Sequence, residues 1–163
     1  MDFIIIWMQE TSLHTWLAEN SSWFVYPLTL AFHSLGMGII VGMNVAISLR
    51  ILGAVPELPL APLARFYSFV WFGLIANAIS GVGLVFTDPE KLLNWILWVK
   101  FSGLALALVT LGLLRAEVFG NPNLDKVPLS LRSKVLAGAL IFFWALTIWG
   151  GRFSAYPELF GGS

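Results

Sequence analysis

The sequence predicts an all-α fold, an integral membrane four-helix bundle preceded by an N-terminal interfacial amphipathic helix. Hydrophobic residues make up 58% of the 163 residues and charged residues only 11%, whereas about a quarter of a typical globular chain is charged. Four apolar segments are also long enough to cross the hydrocarbon core of a bilayer, which takes roughly 20 helical residues. Both observations indicate a chain whose natural solvent is lipid.

The predicted domains follow from where these apolar segments begin and end. Residues 1–20 are the interfacial helix, residues 21–152 the four-helix transmembrane domain and residues 153–163 a short outer tail. The four spans are predicted at about 22–50, 65–86, 92–114 and 135–151. Clusters of proline, glycine and polar residues separate the spans and indicate short connections.

The first 20 residues have the composition of a helix that lies along a membrane surface. An apolar start is followed by a mixture of apolar and polar residues, and Trp7 and Trp16 are residues of the kind that anchor segments at the membrane–water interface. We therefore expect this segment to lie flat in the interface rather than to span the bilayer.

The basic residues predict the orientation of the spans. Lys91 and Arg152 lie near span ends on one side, and six basic residues lie in the connections on the other. Those six are Arg50, Arg65, Arg115, Lys126, Arg132 and Lys134. Because cytoplasmic loops carry the excess of Lys and Arg, both termini are expected on the periplasmic side.

Composition also excludes several classes of function. Nine basic and nine acidic residues give zero net charge, which argues against a nucleic-acid partner. The absence of cysteine excludes disulfides, thiolate metal sites and cysteine nucleophiles. No nucleophile elbow, phosphate loop or His-x-x-x-His spacing occurs. The chain is therefore not expected to be an enzyme on its own.

Polar residues in three spans are predicted to share one depth. A helix rises about 1.5 Å per residue, which puts His33, Asn77 and Lys100 each about 14–16 Å from the outer end of its span. Trp144 in the fourth span comes to a similar level. Since polar groups inside a membrane are costly and often functional, we expect an outward-opening pocket lined by His33, Asn77, Lys100 and Trp144.

Each of these residues also has a purely structural interpretation. His33 could bond a neighbouring helix as a neutral imidazole, and Asn77 could serve as a polar contact between helices. Lys100 could extend its amino group toward the membrane surface. The coincidence of their depths favours the functional interpretation.

The same region contains candidate metal ligands. His33 and Met37 are one helical turn apart, and an imidazole with a thioether suits Cu(I). Haem b could be held by His33, with His14 as the second imidazole if the N-terminal helix folds inward. These residues make copper and haem b possible ligands.

Small residues predict how the first two spans pack. Transmembrane helices associate closely where small residues recur every four positions. The first span has such a stripe, and so does the second, and the two are expected to face each other. The stripes are Ser34, Gly38, Gly42 and Ala46, and Gly73, Asn77 and Gly81.

Several segments resemble an uncharacterised family of small four-helix bacterial membrane proteins. These segments are Ser22-Trp23-Phe24-Val25-Tyr26-Pro27, His33 with Gly36 and Gly42, Leu49-Arg50-Ile51-Leu52-Gly53, and Gly151-Arg152-Phe153-Ser154-Ala155-Tyr156. The resemblance spans almost the whole chain and implies a bacterial inner-membrane bundle.

A more distant similarity is to the membrane domain of CopD-type copper-resistance proteins. It rests on His33 followed by Gly42, then Arg65-Phe66, Ser80-Gly81 and Trp98-Val99-Lys100. This similarity implies a role in copper handling or membrane electron transport, with His33 and Lys100 as matched positions.

Three functions follow as hypotheses. The first is an inner-membrane subunit whose periplasm-facing pocket, centred on His33, handles a redox or metal species, either copper or haem b. The second is a structural or assembly subunit of a larger membrane complex with no ligand of its own. The third is a site for a quinone head group, hydrogen-bonded by His33, Asn77 and Lys100. The expected partners are the lipid bilayer and other membrane subunits or further copies of the chain.

Overall fold

The computed structural model describes residues 1–18, 24–121 and 124–156, and every regular element in these ranges is helical. The helices are α1 (Asp2–Gln9), α2 (Ser12–Ala18), α3 (Val25–Leu52), α4 (Phe66–Thr87), α5 (Trp95–Leu114) and α6 (Leu131–Phe153). Short 3-10 turns occupy Ala61–Arg65 and Pro89–Leu93, and a π-helical turn continues α5 over Arg115–Phe119. The predicted all-α fold is confirmed.

Helices α3 to α6 are long and apolar enough to cross a membrane. The 3-10 turn over Ala61–Arg65 extends α4, and the π-helical turn over Arg115–Phe119 extends α5. We call the end of the bundle that carries α1, α2 and the α4–α5 connection the upper end, and the opposite end the lower end. Large apolar side chains such as Phe72, Ile79 and Val109 point outward from the spans. Apolar surface on this scale is a contact for lipid rather than for water, as expected of a multi-pass membrane protein.

The helix ends follow from capping residues. The Asn94 side chain accepts a hydrogen bond from the backbone N–H of Ile96, so α5 begins at Trp95 rather than near residue 92. Ser130 caps α6 through the N–H of Ser133, which starts this helix four residues before the predicted 135. Helix α3 ends at Leu52 and is followed by Gly53, whose φ of 97° is a left-handed conformation suited to glycine.

The N-terminal segment forms two short helices instead of the single one predicted over 1–20. Thr11 explains the break, because its Oγ1 accepts from the His14 backbone N–H at 3.2 Å and thereby caps a new helix. The pair packs against the bundle: Leu17 is buried, and the Trp7 ring meets the Phe86 ring edge-on at 6.3 Å. Residues 19–23, which include the end of this predicted helix, lie outside the described residues, as do residues 157–163 of the predicted tail.

Glycines bring α3 and α4 into close contact. A Cβ atom on Gly36 would lie 3.0 Å from the Gly73 carbonyl oxygen, and one on Gly73 would lie 3.1 Å from the Gly36 carbonyl oxygen. The predicted packing of the stripe formed by Ser34, Gly38, Gly42 and Ala46 is wrong, because Gly38 and Gly42 face open space. The adjacent face of α3, with Gly36, makes the contact instead.

Helices α5 and α6 form a second close pair. Gly103 lies against Thr147, with the position of its missing Cβ 2.9 Å from the Thr147 hydroxyl oxygen. Nearer the upper end, Gly150 lies against the Lys100 backbone at a similar distance. Helix α6 also packs on α3, so the pair α3–α4 and the pair α5–α6 meet across α3 and α6.

The lower connections are held together by Asp125. Its carboxylate accepts from the backbone N–H of Leu60 at 2.7 Å and of Ala61 at 3.0 Å. These donors lie at the start of the 3-10 turn before α4, where helical backbone N–H groups have no partner within the helix. The carboxylate therefore ties the α5–α6 connection to the α3–α4 connection.

Replacing Asp125 with Ala is expected to destabilise the folded protein by about 1 kcal/mol, because two backbone donors lose their acceptor. Thermal unfolding in mild detergent measures the change. Glu57→Ala, which removes an exposed carboxylate from the neighbouring connection, is the control and should leave the unfolding temperature unaltered. Equal effects of the two substitutions would contradict a specific role for Asp125.

Candidate functional site

The candidate site is built around His33, which lies two turns below the start of α3. Its Nδ1 atom is 3.1 Å from the backbone carbonyl oxygen of Asn77 and 3.2 Å from the hydroxyl oxygen of Ser80. A carbonyl oxygen can only accept, so Nδ1 carries the hydrogen and donates it. In the neutral ring, Nε2 is then left with a lone pair.

Asn77 fixes the position of His33 from the facing helix. Its Nδ2 donates to the His33 carbonyl oxygen at 2.8 Å, while its own carbonyl oxygen faces the His33 ring. Gly81, one turn above Asn77, leaves room for the ring, because a Cβ there would lie 3.2 Å from His33 Cε1. Asn77 and Gly81 therefore join α3 to α4 and hold the imidazole in one orientation.

Lys100 approaches the opposite side of the imidazole from α5. Its Nζ lies 3.4 Å from His33 Nε2 and donates to the lone pair there. Gly150 of α6 leaves space for Lys100, since a Cβ there would lie 3.1 Å from Lys100 Cβ, and Gly151 lies alongside the lysine stem. The structure thus brings together three of the four predicted pocket residues, His33, Asn77 and Lys100.

The Lys100 amino group has no carboxylate partner within the described ranges. The ion pairs found there are Lys91 with Asp88 at 3.2 Å and Arg132 with Glu117 at 3.6 Å. Neither involves Lys100, whose polar contact is the imidazole of His33. One N–H of the Lys100 amino group is directed at the neutral imidazole, so the others remain to donate to a further acceptor inside the spans.

Ser80, which is not among the predicted pocket residues, also belongs to the site. It lies three residues after Asn77 and therefore on the same face of α4. Its hydroxyl donates to the Ala76 carbonyl oxygen at 2.6 Å and lies within reach of His33 Nδ1. The helical spacing from Asn77 was the signal that could have identified it.

An apolar cavity of about 510 Å³ opens beside Ser80. We call it the α2 groove, because Leu13 and Leu17 of α2 form one wall while α3 and α4 form its floor. Its lining residues are Leu13, Leu17, Thr29, Phe32, Ala76, Ile79, Ser80, Val82 and Gly83. Ser80 belongs both to this groove and to the polar cluster of His33, Asn77 and Lys100.

Trp144, the fourth predicted pocket residue, lies deeper in the bundle. It is buried in the apolar core with Ala107 and Leu140. Gly150 packs against the Lys100 backbone and therefore lies at the same depth. Trp144 lies about 9 Å below Gly150 along α6, and so below Lys100. Its indole Nε1 is buried without a hydrogen-bond partner in the part of the chain that the structure describes.

The two other candidate metal ligands, Met37 and His14, make separate contacts. Met37 packs against the apolar core one turn below His33. His14 Nδ1 donates to the Phe86 carbonyl oxygen at 2.6 Å. Phe86 lies about 7.5 Å above Gly81 along α4, so His14 is held nearer the upper end than the His33 ring.

The side chains around His33 are not arranged as a set of metal ligands. Both ring nitrogens already face protein partners, and across the described ranges no three His, Cys, Asp or Glu side chains are grouped as metal ligands. A copper or haem iron bound at Nε2 would have to displace Lys100. Metal binding by His33, Met37 and His14 stays a prediction.

Comparisons of the chain with protein-family models, curated proteins and solved structures found no match. The resemblances to small four-helix bacterial membrane proteins and to the CopD-type domain therefore stay predictions.

Proposed function

We propose that this chain is a membrane subunit whose pocket, centred on His33, binds the head group of a lipid-soluble redox ligand of the quinone class. The observation that carries the proposal is the contact between Lys100 Nζ and His33 Nε2 inside the spans, with no carboxylate beside Lys100 in the described ranges. Polar groups at such a depth are costly and commonly mark a functional site.

The chemistry of the cluster suits a carbonyl ligand. A quinone head group carries carbonyl oxygens that accept hydrogen bonds, and the Lys100 amino group retains N–H donors beyond the one directed at His33. Because a quinone is uncharged, it can reach the site through the bilayer. The imidazole, held by Asn77 and Ser80, would keep Lys100 positioned as the donor.

Copper and haem b are the competing ligands, and the feature that favours them is the imidazole of His33. Either would use His33 Nε2, the nitrogen that faces Lys100. The amino group at 3.4 Å from this nitrogen favours a ligand that accepts hydrogen bonds over a cation that needs the same lone pair. We therefore rank the quinone first and treat the metals as alternative outcomes of the experiment.

The proposal extends to location and partners. We propose a bacterial inner-membrane protein whose pocket opens toward the periplasm, supported by the excess of basic residues at the lower end. Electron transfer to or from a bound quinone would require a donor or acceptor from another membrane subunit. The upper and lipid-facing surfaces of the bundle are available for such a subunit or for a second copy of the chain.

Binding of 2,3-dimethoxy-5-methyl-1,4-benzoquinone, a quinone without a tail, to the full chain in mild detergent tests the proposal. Quenching of tryptophan fluorescence reports the dissociation constant. His33→Ala is expected to weaken binding by about tenfold or more, since Lys100 loses the partner that positions it. His14→Ala is the matched control and should bind the quinone like the wild type.

Other results would identify the competing functions. Copper detected by elemental analysis, or Soret and alpha bands in the reduced spectrum, lost in His33→Ala, would favour the metal site. No binding of quinone, copper or haem by the wild type, with a larger complex co-purifying, would favour the structural subunit.

A further inference from the structure

Four buried side chains in the spans carry a polar atom without a hydrogen-bond partner in the part of the chain that the structure describes. These atoms are Asn44 Oδ1, the hydroxyl oxygens of Ser48 and Tyr67, and Trp144 Nε1. Each of the four residues is at most 4% exposed. An unpaired polar atom is costly inside a bilayer, and buried water is the usual partner of such atoms in folded proteins.

The contact between α3 and α4 places Asn44 and Tyr67 at a similar depth. Gly36 and Gly73 lie against each other in this contact. Asn44 lies about 12 Å below Gly36 along α3, and Tyr67 lies about 9 Å below Gly73 along α4. Ser48 is one turn below Asn44 on the same face of α3. These three polar side chains therefore lie together in the lower half of the bundle interior.

Trp144 approaches the same region from α6, which packs on α3. Helical side chains lean toward the N-terminus of their helix, so the Trp144 indole is directed downward and the Asn44 side chain upward. Asn44 Nδ2 accordingly donates to the Ile40 carbonyl oxygen at 2.8 Å. The two unpaired atoms are complementary, because Nε1 is a donor and Oδ1 is an acceptor. A water molecule between them can satisfy both.

Tyr67 connects this region to the lower end of the bundle. It is the second residue of α4, and its ring centre lies 5.2 Å from the Phe119 ring centre and 5.1 Å from the Arg115 guanidinium carbon. Arg115 and Phe119 belong to the π-helical turn that follows α5, an irregularity common at functional sites. Because Arg115 is exposed, the Tyr67 side chain lies directly behind a surface residue.

We propose that water occupies the lower half of the bundle interior, bound by Asn44, Ser48, Tyr67 and Trp144, and carries protons between the lower end and the depth of Trp144. The set combines hydroxyl groups with one donor and one acceptor, and none of the four side chains is charged, which suits water rather than an ion. This water path lies below the His33 site and does not rest on the proposed quinone ligand.

Nuclear magnetic resonance of the full chain in mild detergent, with isotope-labelled tryptophan, tests the proposal. Trp144→Phe identifies the indole signal of Trp144. In the wild type this signal should show a rotating-frame Overhauser cross-peak with water, and its N–H should exchange in heavy water. Asn44→Leu removes the acceptor and should slow this exchange by about fivefold or more, the factor for one lost hydrogen bond. A wild-type Trp144 signal without the water cross-peak would overturn the proposal.

Ala46→Leu is the matched control, because it adds the same side chain to an exposed position of α3 two residues away. It should leave the exchange rate at Trp144 at the wild-type value, and equal slowing in Ala46→Leu and Asn44→Leu would contradict the water site.

Tyr67→Phe tests entry of water from the lower end. This change keeps the ring that packs on Phe119 and removes only the hydroxyl group. Exchange at Trp144 should again slow by about fivefold. An unaltered rate would overturn the path from the lower end, and this result can be read even if Asn44→Leu fails to fold.

Discussion

Replacing Lys100 with Met is expected to weaken binding of the tailless benzoquinone by about 2 kcal/mol, or roughly thirtyfold in Kd. Methionine keeps much of the length and apolar character of the lysine stem, so the space beside Gly151 stays filled. The amino group that faces His33 Nε2 at 3.4 Å is lost, and with it the proposed donor to the quinone carbonyl. Fluorescence titration with the same quinone measures the effect.

Lys91→Met provides the matched control for this experiment. Lys91 precedes α5 at the upper end and pairs with Asp88 at 3.2 Å, with both side chains partly exposed. The same chemical change there should leave Kd near the wild-type value, because an exposed ion pair contributes little. If Lys91→Met weakened binding as much as Lys100→Met, a general charge effect would explain the result and the assigned role of Lys100 would be wrong.

Replacing Gly36 with Leu is expected to lower stability by about 3 kcal/mol, the largest structural effect predicted for the chain. Any Cβ at this position would lie 3.0 Å from the Gly73 carbonyl oxygen and 3.1 Å from the Asn77 backbone nitrogen. These are backbone atoms of a neighbouring helix and cannot move aside alone, so α3 and α4 must separate. Thermal unfolding in mild detergent measures the loss.

The control for this substitution is Gly42→Leu. Gly42 lies on the same helix, and no atom lies within 4 Å of the position that a Cβ would take. The two variants add identical atoms to α3, but Gly42→Leu should change stability by less than about 0.5 kcal/mol. A comparable loss in both variants would show that helix propensity or detergent contact, rather than the α3–α4 contact, determines the cost.

The depth of the polar residues could be predicted from sequence because it needs little more than helix rise and span length. His33, Asn77 and Lys100 were expected at one level, and the structure joins them through direct contacts. Trp144 shows the limit of this reasoning. An error of one or two helical turns in the predicted depth of a residue is small compared with the length of a span. For Trp144 it is the difference between the polar cluster and the apolar core.

The faces of the spans were harder to predict than their depths. In a soluble helix, the polar face marks solvent and the apolar face marks the core, but in these spans lipid and core both select apolar residues. The choice between Gly36 and the stripe containing Gly38 and Gly42 therefore could not be made from periodicity. The structure makes the choice through backbone contact at Gly36 and Gly73.

The N-terminal segment could be assigned as helical from its composition, but the break at Thr11 depends on a local competition. The threonine hydroxyl accepts from the His14 N–H and donates to the Met8 carbonyl oxygen at 2.6 Å, which favours a cap over a continuous helix. The resulting turn directs α2 onto α4 and creates the α2 groove. The groove could not be predicted without this change of direction.

The arrangement of the glycines divides the bundle into two helical hairpins. Gly36 and Gly73 lock one hairpin, which carries His33, Asn77 and Ser80, whereas Gly103 and Gly150 lock the other, which carries Lys100. Swinging one hairpin away from the other at the upper end would part Lys100 from His33 and leave each hairpin intact.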